Sequence, residues 1–200
     1  MNSEPEEDSA VNTIAEIAEE LRAINSVRAI ALYGDIEEER ASETISGIIA
    51  MYNSGRSEDD TSENLDFYIS THGGDTEEMF AIYDTMRMFG DKMPISTIGL
   101  GKVMSAGILL LAAGKKGHRK VGKNCRFMFH AVMGRSSTGT IRRINNEVNE
   151  FKWAQERYTK SLAKESNLTD KQIKRMIQKK MNIYFDAEKA IEYGIADSII

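Results

Sequence analysis

Residues 94–114 read PISTIGLGKVMSAGILLLAAG, and this stretch decides the fold. Residues 94–100 read as a strand. Residues 104–113 read as a helix that is apolar nearly all round and therefore buried. The same succession recurs upstream. Residues 28–33 form a strand that ends at Gly34. A helix over 41–52 carries Ile45, Ile48, Ile49 and Tyr52 at helical spacing and stops at Asn53-Ser54-Gly55. A polar surface loop (54–64) leads to a strand at 65–69, a turn over 70–74 and a helix over 75–89 with Met79, Ile82 and Met86 on its apolar side.

Downstream, residues 117–121 and 126–130 read as short strands separated by a Gly-Lys-Asn turn, a solvated basic hairpin. Residues 134–140 are small and polar. A long helix over 141–166 holds Trp153, and a second over about 169–180 completes a helical hairpin. Asp186 caps a short helix through Tyr193, Gly194 stops it, and 196–200 is a last short strand. Strands joined by helices predict an α/β fold with a parallel sheet. Two segments are expected: an acidic one at 1–27, disordered over 1–10 and helical over 12–25 through Ile14, Ile17, Leu21 and Ile24, then one domain at 28–200.

Composition narrows the function classes. The 200 residues are 41% hydrophobic and 28% charged, ordinary for a globular chain, which excludes a collagen, a disulfide scaffold and bulk disorder. The longest nearly pure apolar run, 103–113, is too short to span a bilayer. Acidic residues at the N-terminus are opposite in charge to a signal-peptide n-region. One cysteine, Cys125, forbids an internal disulfide and a multi-Cys zinc site, so a reducing cytoplasm is the expected location. Seven acids and no Lys or Arg in residues 1–20 leave the rest of the chain near neutral, giving no case for nucleic acid. Residues 92–146 hold no Asp or Glu at all, so a carboxylate serving chemistry there must come from elsewhere.

Three features point to acyl transfer. Ser105 follows a strand and opens a buried helix, where free backbone N–H groups and the positive dipole end can stabilise an oxyanion. Its small neighbours Ala106 and Gly107 let a substrate backbone approach. Thr71-His72-Gly73-Gly74 lies between strand and helix, and paired glycines permit positive φ and leave N–H groups exposed. That suits half of an oxyanion hole or a groove for an extended peptide. Phe127-Met128-Phe129-His130 places a histidine at the end of an apolar strand, where a sheet offers side chains to a cleft. His72, beside the glycines, is the rival base; His118 lies in the basic hairpin. Taken singly, each feature also has a structural reading: a helix cap, a tight turn, a satisfied histidine.

Taken together they resemble the proteolytic subunit of the Clp protease. The resemblance is carried by 69–74, Ala81-Ile82-Tyr83-Asp84-Thr85-Met86, Ser96-Thr97-Ile98-Gly99, Met104-Ser105-Ala106-Gly107 with Leu110, Ala113 and Gly114, Met128-Phe129-His130, and the tail at 187–199. It runs from about Arg28 to Ile200, with the motifs in order. It implies the crotonase-like fold with a protruding helical handle at about 134–166. It also implies a self-compartmentalised serine endopeptidase, assembled as heptameric rings that stack into a tetradecamer and fed by an AAA+ unfoldase. Ser105 matches the nucleophile and His130 the general base; Gly73, Gly74 and Ala106 match the oxyanion hole. The subunit itself needs no metal and no other cofactor, ATP belonging to the partner, and neither nucleic acid nor a membrane is implied.

The sequence departs from the family in four places. The triad aspartate falls on Asn182, which can accept a hydrogen bond from the imidazole but cannot stabilise an imidazolium by charge, so slow chemistry is expected. Asp186, the nearby acid, reads as a cap. Met181 stands where an arginine commonly pairs across the ring–ring contact. The acidic N-terminus does not resemble the axial-loop segment. Of the docking-pocket aromatics on the strand before the glycines, Tyr68 matches one and Asp66 replaces the other. Two alternatives follow: a silent structural subunit of a heteromeric ring, favoured by Asn182 and Met181, and crotonase-like chemistry on acyl thioesters, which needs no serine.

Overall fold

The computed structural model describes residues 28–54, 64–134, 138–178 and 182–200. The N-terminal segment with its helix, most of the polar loop at 54–64, and Met181 lie outside the described residues.

The elements follow the expected alternation. They are β1 (Ala29–Tyr33), α1 (Glu38–Ser54), β2 (Leu65–Thr71), α2 (Thr76–Phe89), β3 (Ile95–Met104), α3 (Ala106–Ala112), β4 (Arg119–Val121), β5 (Arg126–Phe129), α4 (Ile141–Glu165), α5 (Asp170–Gln178), β6 (Ile183–Phe185), α6 (Ala187–Glu192) and β7 (Ser198–Ile199). The sheet runs β1-β2-β3-β4-β7, with β5 pairing β3 and β6. Every pairing is parallel except β5 with β6. The α/β reading with its parallel sheet stands; the short antiparallel strand β6 is an addition to it. β2 buries alternate residues, Leu65, Phe67, Ile69 and Thr71, whereas β3 is buried on both faces from Ile95 to Gly99, the pattern of a central strand.

β3 runs past the expected end at Leu100 as far as Met104, and this extension positions the site. Its first half, Thr97 to Gly99, pairs with β4. Its second half, Lys102 to Met104, pairs with β5. Gly101, at φ +67°, sits between the two halves, where the strand changes partner. β4 and β5 therefore line up along one edge of β3 and do not pair with each other, so the expected basic hairpin does not form. Its Arg119 is buried, not solvated. The guanidinium holds Asp197 at 2.6 and 2.9 Å and the carbonyls of Glu165 and Gly194 at 2.8 and 2.7 Å. Burial pushes the Asp197 carboxyl up, but Arg119 and the backbone N–H groups of Arg119 and Gly117 outweigh this and hold it below the usual range. A carboxylate 78 positions away in sequence is invisible to a local reading of charge.

All seven residues of α3 are buried, so the helix after Ser105 runs through the interior as its composition requires. α4 divides. Tyr158, Leu162 and Glu165 near its C-terminal end are buried, while Ile141, Ile144, Val148 and Trp153 are exposed. Tyr158 packs into its own chain beside Phe129, with ring centroids 5.9 Å apart.

Candidate active site

The turn from β3 into α3 is where backbone strain concentrates. Ser105 has φ 53° and ψ −120°, and it is the one non-glycine residue with positive φ among the described residues. Such a conformation costs about 1–3 kcal/mol and persists only where surrounding contacts impose it. Three hydrogen bonds do so here. The Ser105 N–H donates to the Met128 carbonyl at 2.7 Å, continuing the β3–β5 ladder. The Ser105 carbonyl accepts from Ile108 N–H at 3.1 Å and from the Tyr158 hydroxyl at 3.0 Å. Although Ser105 occupies the N-cap position, its hydroxyl makes no capping bond. It is committed instead to His130, with Oγ 2.7 Å from Nε2.

His130 reaches that position because β5 is parallel to the last residues of β3, which carries both strand ends to the same side. For Nε2 to accept from the serine hydroxyl, the ring proton must sit on Nδ1. Burial lowers the His130 pKa from the ordinary value of 6.5, and a backbone hydrogen bond at Ala131 offsets part of this. The neutral, proton-accepting form is thereby favoured at neutral pH, which a general base needs.

Asn182 lies immediately before β6. The antiparallel register pairs Phe129 with Ile183, so one further step sets His130 opposite Asn182. The register thus brings Asn182, expected as the third triad member, to the strand position across from His130. Its amide, however, is exposed and makes no hydrogen bond to the imidazole. Asp186 caps α6, accepting from Lys189 N–H at 3.0 Å, and is not directed at His130.

The glycine pair faces the serine from β2. A Cβ on Gly73 would lie 2.6 Å from the Ser105 Cβ, and one on Gly74 only 2.2 Å from the Ile36 carbonyl oxygen. Both glycines have positive φ, 102° and 153°. Their N–H groups differ. Gly73 donates to Thr71 Oγ1 at 2.9 Å. Neither Gly74 nor Ala106, the first residue of α3, has an acceptor for its N–H among the described residues. Gly74, Ala106, Ser105 and His130 line one pocket of about 230 Å³, together with His72, Met79, Met128, Val132 and Tyr158. It adjoins a wider cleft of about 1230 Å³ rich in carboxylates, among them Asp35, Glu38, Glu78 and Glu150. Within that cleft the Asp75 carboxyl, hydrogen-bonded to Glu77, raises the pKa of Glu77.

Neither rival histidine bonds the Ser105 hydroxyl. His72 reaches the same pocket, but its Nδ1 faces Asp35 at 3.7 Å. His118 is in the turn before β4 and lines neither cavity. Sequence reasoning missed two side chains of α4. Tyr158 holds the Ser105 carbonyl, and Gln155 accepts from Val132 N–H at 2.7 Å, fixing the segment that follows His130. Their spacing of three puts both on one face of the helix, the one local signal the sequence carries for them.

A family model described as Clp protease matches residues 13–200. Curated relatives agree. An ATP-dependent Clp protease proteolytic subunit 4 from Rhodococcus jostii is 34% identical over 142 residues, 71% of this chain and 71% of the relative. A subunit 2 from Gluconobacter oxydans is 31% identical over 173 residues, covering 86% of this chain and 74% of the relative. A subunit 1 from Tropheryma whipplei is 33% identical over 142 residues, 70% of this chain and 67% of that one.

Proposed function

This chain belongs to the Clp protease family, and from that premise we propose that it is an active serine endopeptidase subunit working through Ser105, His130 and Asn182. The observation that carries the reading is the Ser105–His130 hydrogen bond of 2.7 Å at a strained strand-to-helix turn. A substrate peptide lies extended beside the Gly73-Gly74 segment, with its scissile carbonyl in the small pocket. His130 takes the Ser105 proton as Oγ attacks the carbonyl carbon. The C=O π electrons move to the oxygen, which the Gly74 and Ala106 N–H groups receive. Collapse breaks the C–N bond, and His130 returns the proton to the leaving amine. Water, deprotonated by the same imidazole, then hydrolyses the acyl-enzyme.

Asn182 faces His130 across the strands as a neutral group, with no countercharge for the imidazolium, so turnover is slow relative to an aspartate-bearing site. The subunit needs no metal or other cofactor for these steps. It works as a homo-oligomeric ring, heptameric and stacked weakly in pairs, since Met181 lacks the charge for an ionic lock between rings. The exposed Ile141, Ile144 and Val148 of α4 suit such contacts. Unfolded polypeptide is the substrate, delivered by an AAA+ unfoldase, in a reducing cytoplasm compatible with a single buried thiol.

The second reading, a silent structural subunit of a heteromeric ring, is favoured by one observation: the Asn182 amide makes no bond to His130. Incubation with a fluorophosphonate, followed by peptide mass spectrometry, separates the two. An adduct on Ser105 supports the peptidase; an unmodified Ser105 under conditions that label a control serine peptidase supports the silent subunit.

A further inference from the structure

Tyr158 stands outside the serine, histidine and asparagine of the proposed mechanism, yet its buried hydroxyl touches the nucleophile's backbone. We infer that Tyr158 is a positioning residue that aims the Ala106 N–H at the oxyanion. The inference rests on the peptidase reading above and adds a residue to it.

The argument starts from the peptide plane. The carbonyl of Ser105 and the N–H of Ala106 belong to one trans peptide unit, which is flat and points the two groups in opposite directions. Whatever fixes the carbonyl fixes the N–H. The Tyr158 hydroxyl donates to that carbonyl at 3.0 Å from the side of α4. The Ala106 N–H then points the other way, out of the N-terminal end of α3, and Ala106 lines the pocket that holds Ser105 and His130.

This restraint is needed because the ordinary one is missing. A serine at an N-cap takes extended backbone angles, and its hydroxyl bonds an N–H of the first turn. Ser105 does neither. Its φ of 53° is outside that region, its hydroxyl makes no cap bond, and Oγ is engaged by His130. The remaining local bond, from Ile108 N–H at 3.1 Å, comes from the same short helix and moves with it. Tyr158 is a donor from a different element, held rigid by burial and by the Phe129 ring. It ties the plane to the body of the molecule. An oxyanion donor accelerates the reaction only if it is aimed before the charge develops, and losing one such donor outright costs about 10²–10³ in kcat. A donor that is misdirected but retained loses less.

The test is Tyr158→Phe, which keeps the ring and removes one oxygen. With a fluorogenic peptide, kcat falls about tenfold and KM is unchanged. The rate of fluorophosphonate labelling at Ser105 falls with it. Affinity for a peptide boronate, whose tetrahedral adduct places an oxygen in the oxyanion site, drops by the same factor, whereas the acid limb of the pH profile stays in place because His130 is untouched. A kcat within twofold of wild type, or a loss confined to KM, overturns the inference. Wild-type chain that is never labelled at Ser105 overturns the peptidase reading and this inference with it; labelled wild type beside an equally reactive variant overturns only the inference. Should Tyr158→Phe not fold, p-aminophenylalanine at 158 retains a donor. Activity near wild type then supports the assignment, and a variant that folds but is tenfold slower overturns it.

Discussion

Ser105 and Asn182 flank the same histidine and are built in opposite ways. Ser105 sits between two buried elements. Its backbone is held from β5, α3 and α4, its φ is forced positive, and its hydroxyl is bonded to the imidazole. Asn182 sits just before the three-residue strand β6, exposed, with no hydrogen bond to His130. On the proposed mechanism, then, the nucleophile and its oxyanion donors are held by the core, and the orienting group is left to a peripheral strand. Preorganised polar groups supply most of the rate in such chemistry, so the proposal assigns most of the rate to the Ser105 half. On that mechanism the attack half is fixed within one chain, and the orienting half contributes a tunable remainder.

The largest test of this contrast is Ser105→Ala, which should lower peptide hydrolysis by at least 10⁴-fold, with sedimentation unchanged. His130→Ala should match it, while His72→Ala and His118→Ala retain activity. A His72→Ala variant that is silent instead would move the base to the other wall of the pocket.

Next in size is Gly73→Ala. The added methyl would meet the Ser105 Cβ at 2.6 Å on backbone at φ 102°. About a 10²-fold loss in kcat is expected, with a folded chain by circular dichroism. A neutral result would mean that the nucleophile is less tightly held than the geometry requires.

Asn182 probes the loosely built end. Asn182→Asp should raise kcat, by about tenfold, because a carboxylate stabilises the imidazolium as Ser105 attacks; the reverse change in a fully formed triad costs about 10⁴. Asn182→Ala should fall only a few-fold, since the wild-type amide makes no bond in the resting site. Equal rates in all three would remove Asn182 from the mechanism.

The smallest effect is in pH. Burial holds the His130 pKa below 6.5. The base is therefore neutral down to pH values under that point, and the acid limb of kcat/KM should lie below pH 6.5. In Asn182→Asp the new carboxylate favours the charged imidazole, so the limb should move to higher pH. An unshifted limb would place residue 182 beyond electrostatic reach of the ring.

Much of this was legible in the residues themselves. The buried helix at 104–113, the glycine pair and the strand-end histidine are local patterns. Their order along the chain gave the α/β fold, the Clp likeness and the Ser105 and His130 that the structure brings together, because apolar periodicity and turn chemistry act over a few residues. Asp186 and Gly194 declared the last helix in the same way. Three matters were decided only by tertiary structure. Whether β4 and β5 pair with each other or with the two halves of β3 depends on the change of partner at Gly101, which no alternation of side chains reveals. Arg119 looked solvated because its neighbours are basic; its carboxylate partner is brought to it by the pairing of β4 with β7. No local pattern marks what Tyr158 does on its long helix, since the carbonyl it holds lies 53 positions upstream. Hydrogen bonds between distant residues are chosen by how elements pack, so the sequence could name the candidate groups, but only the packing could show what holds them still.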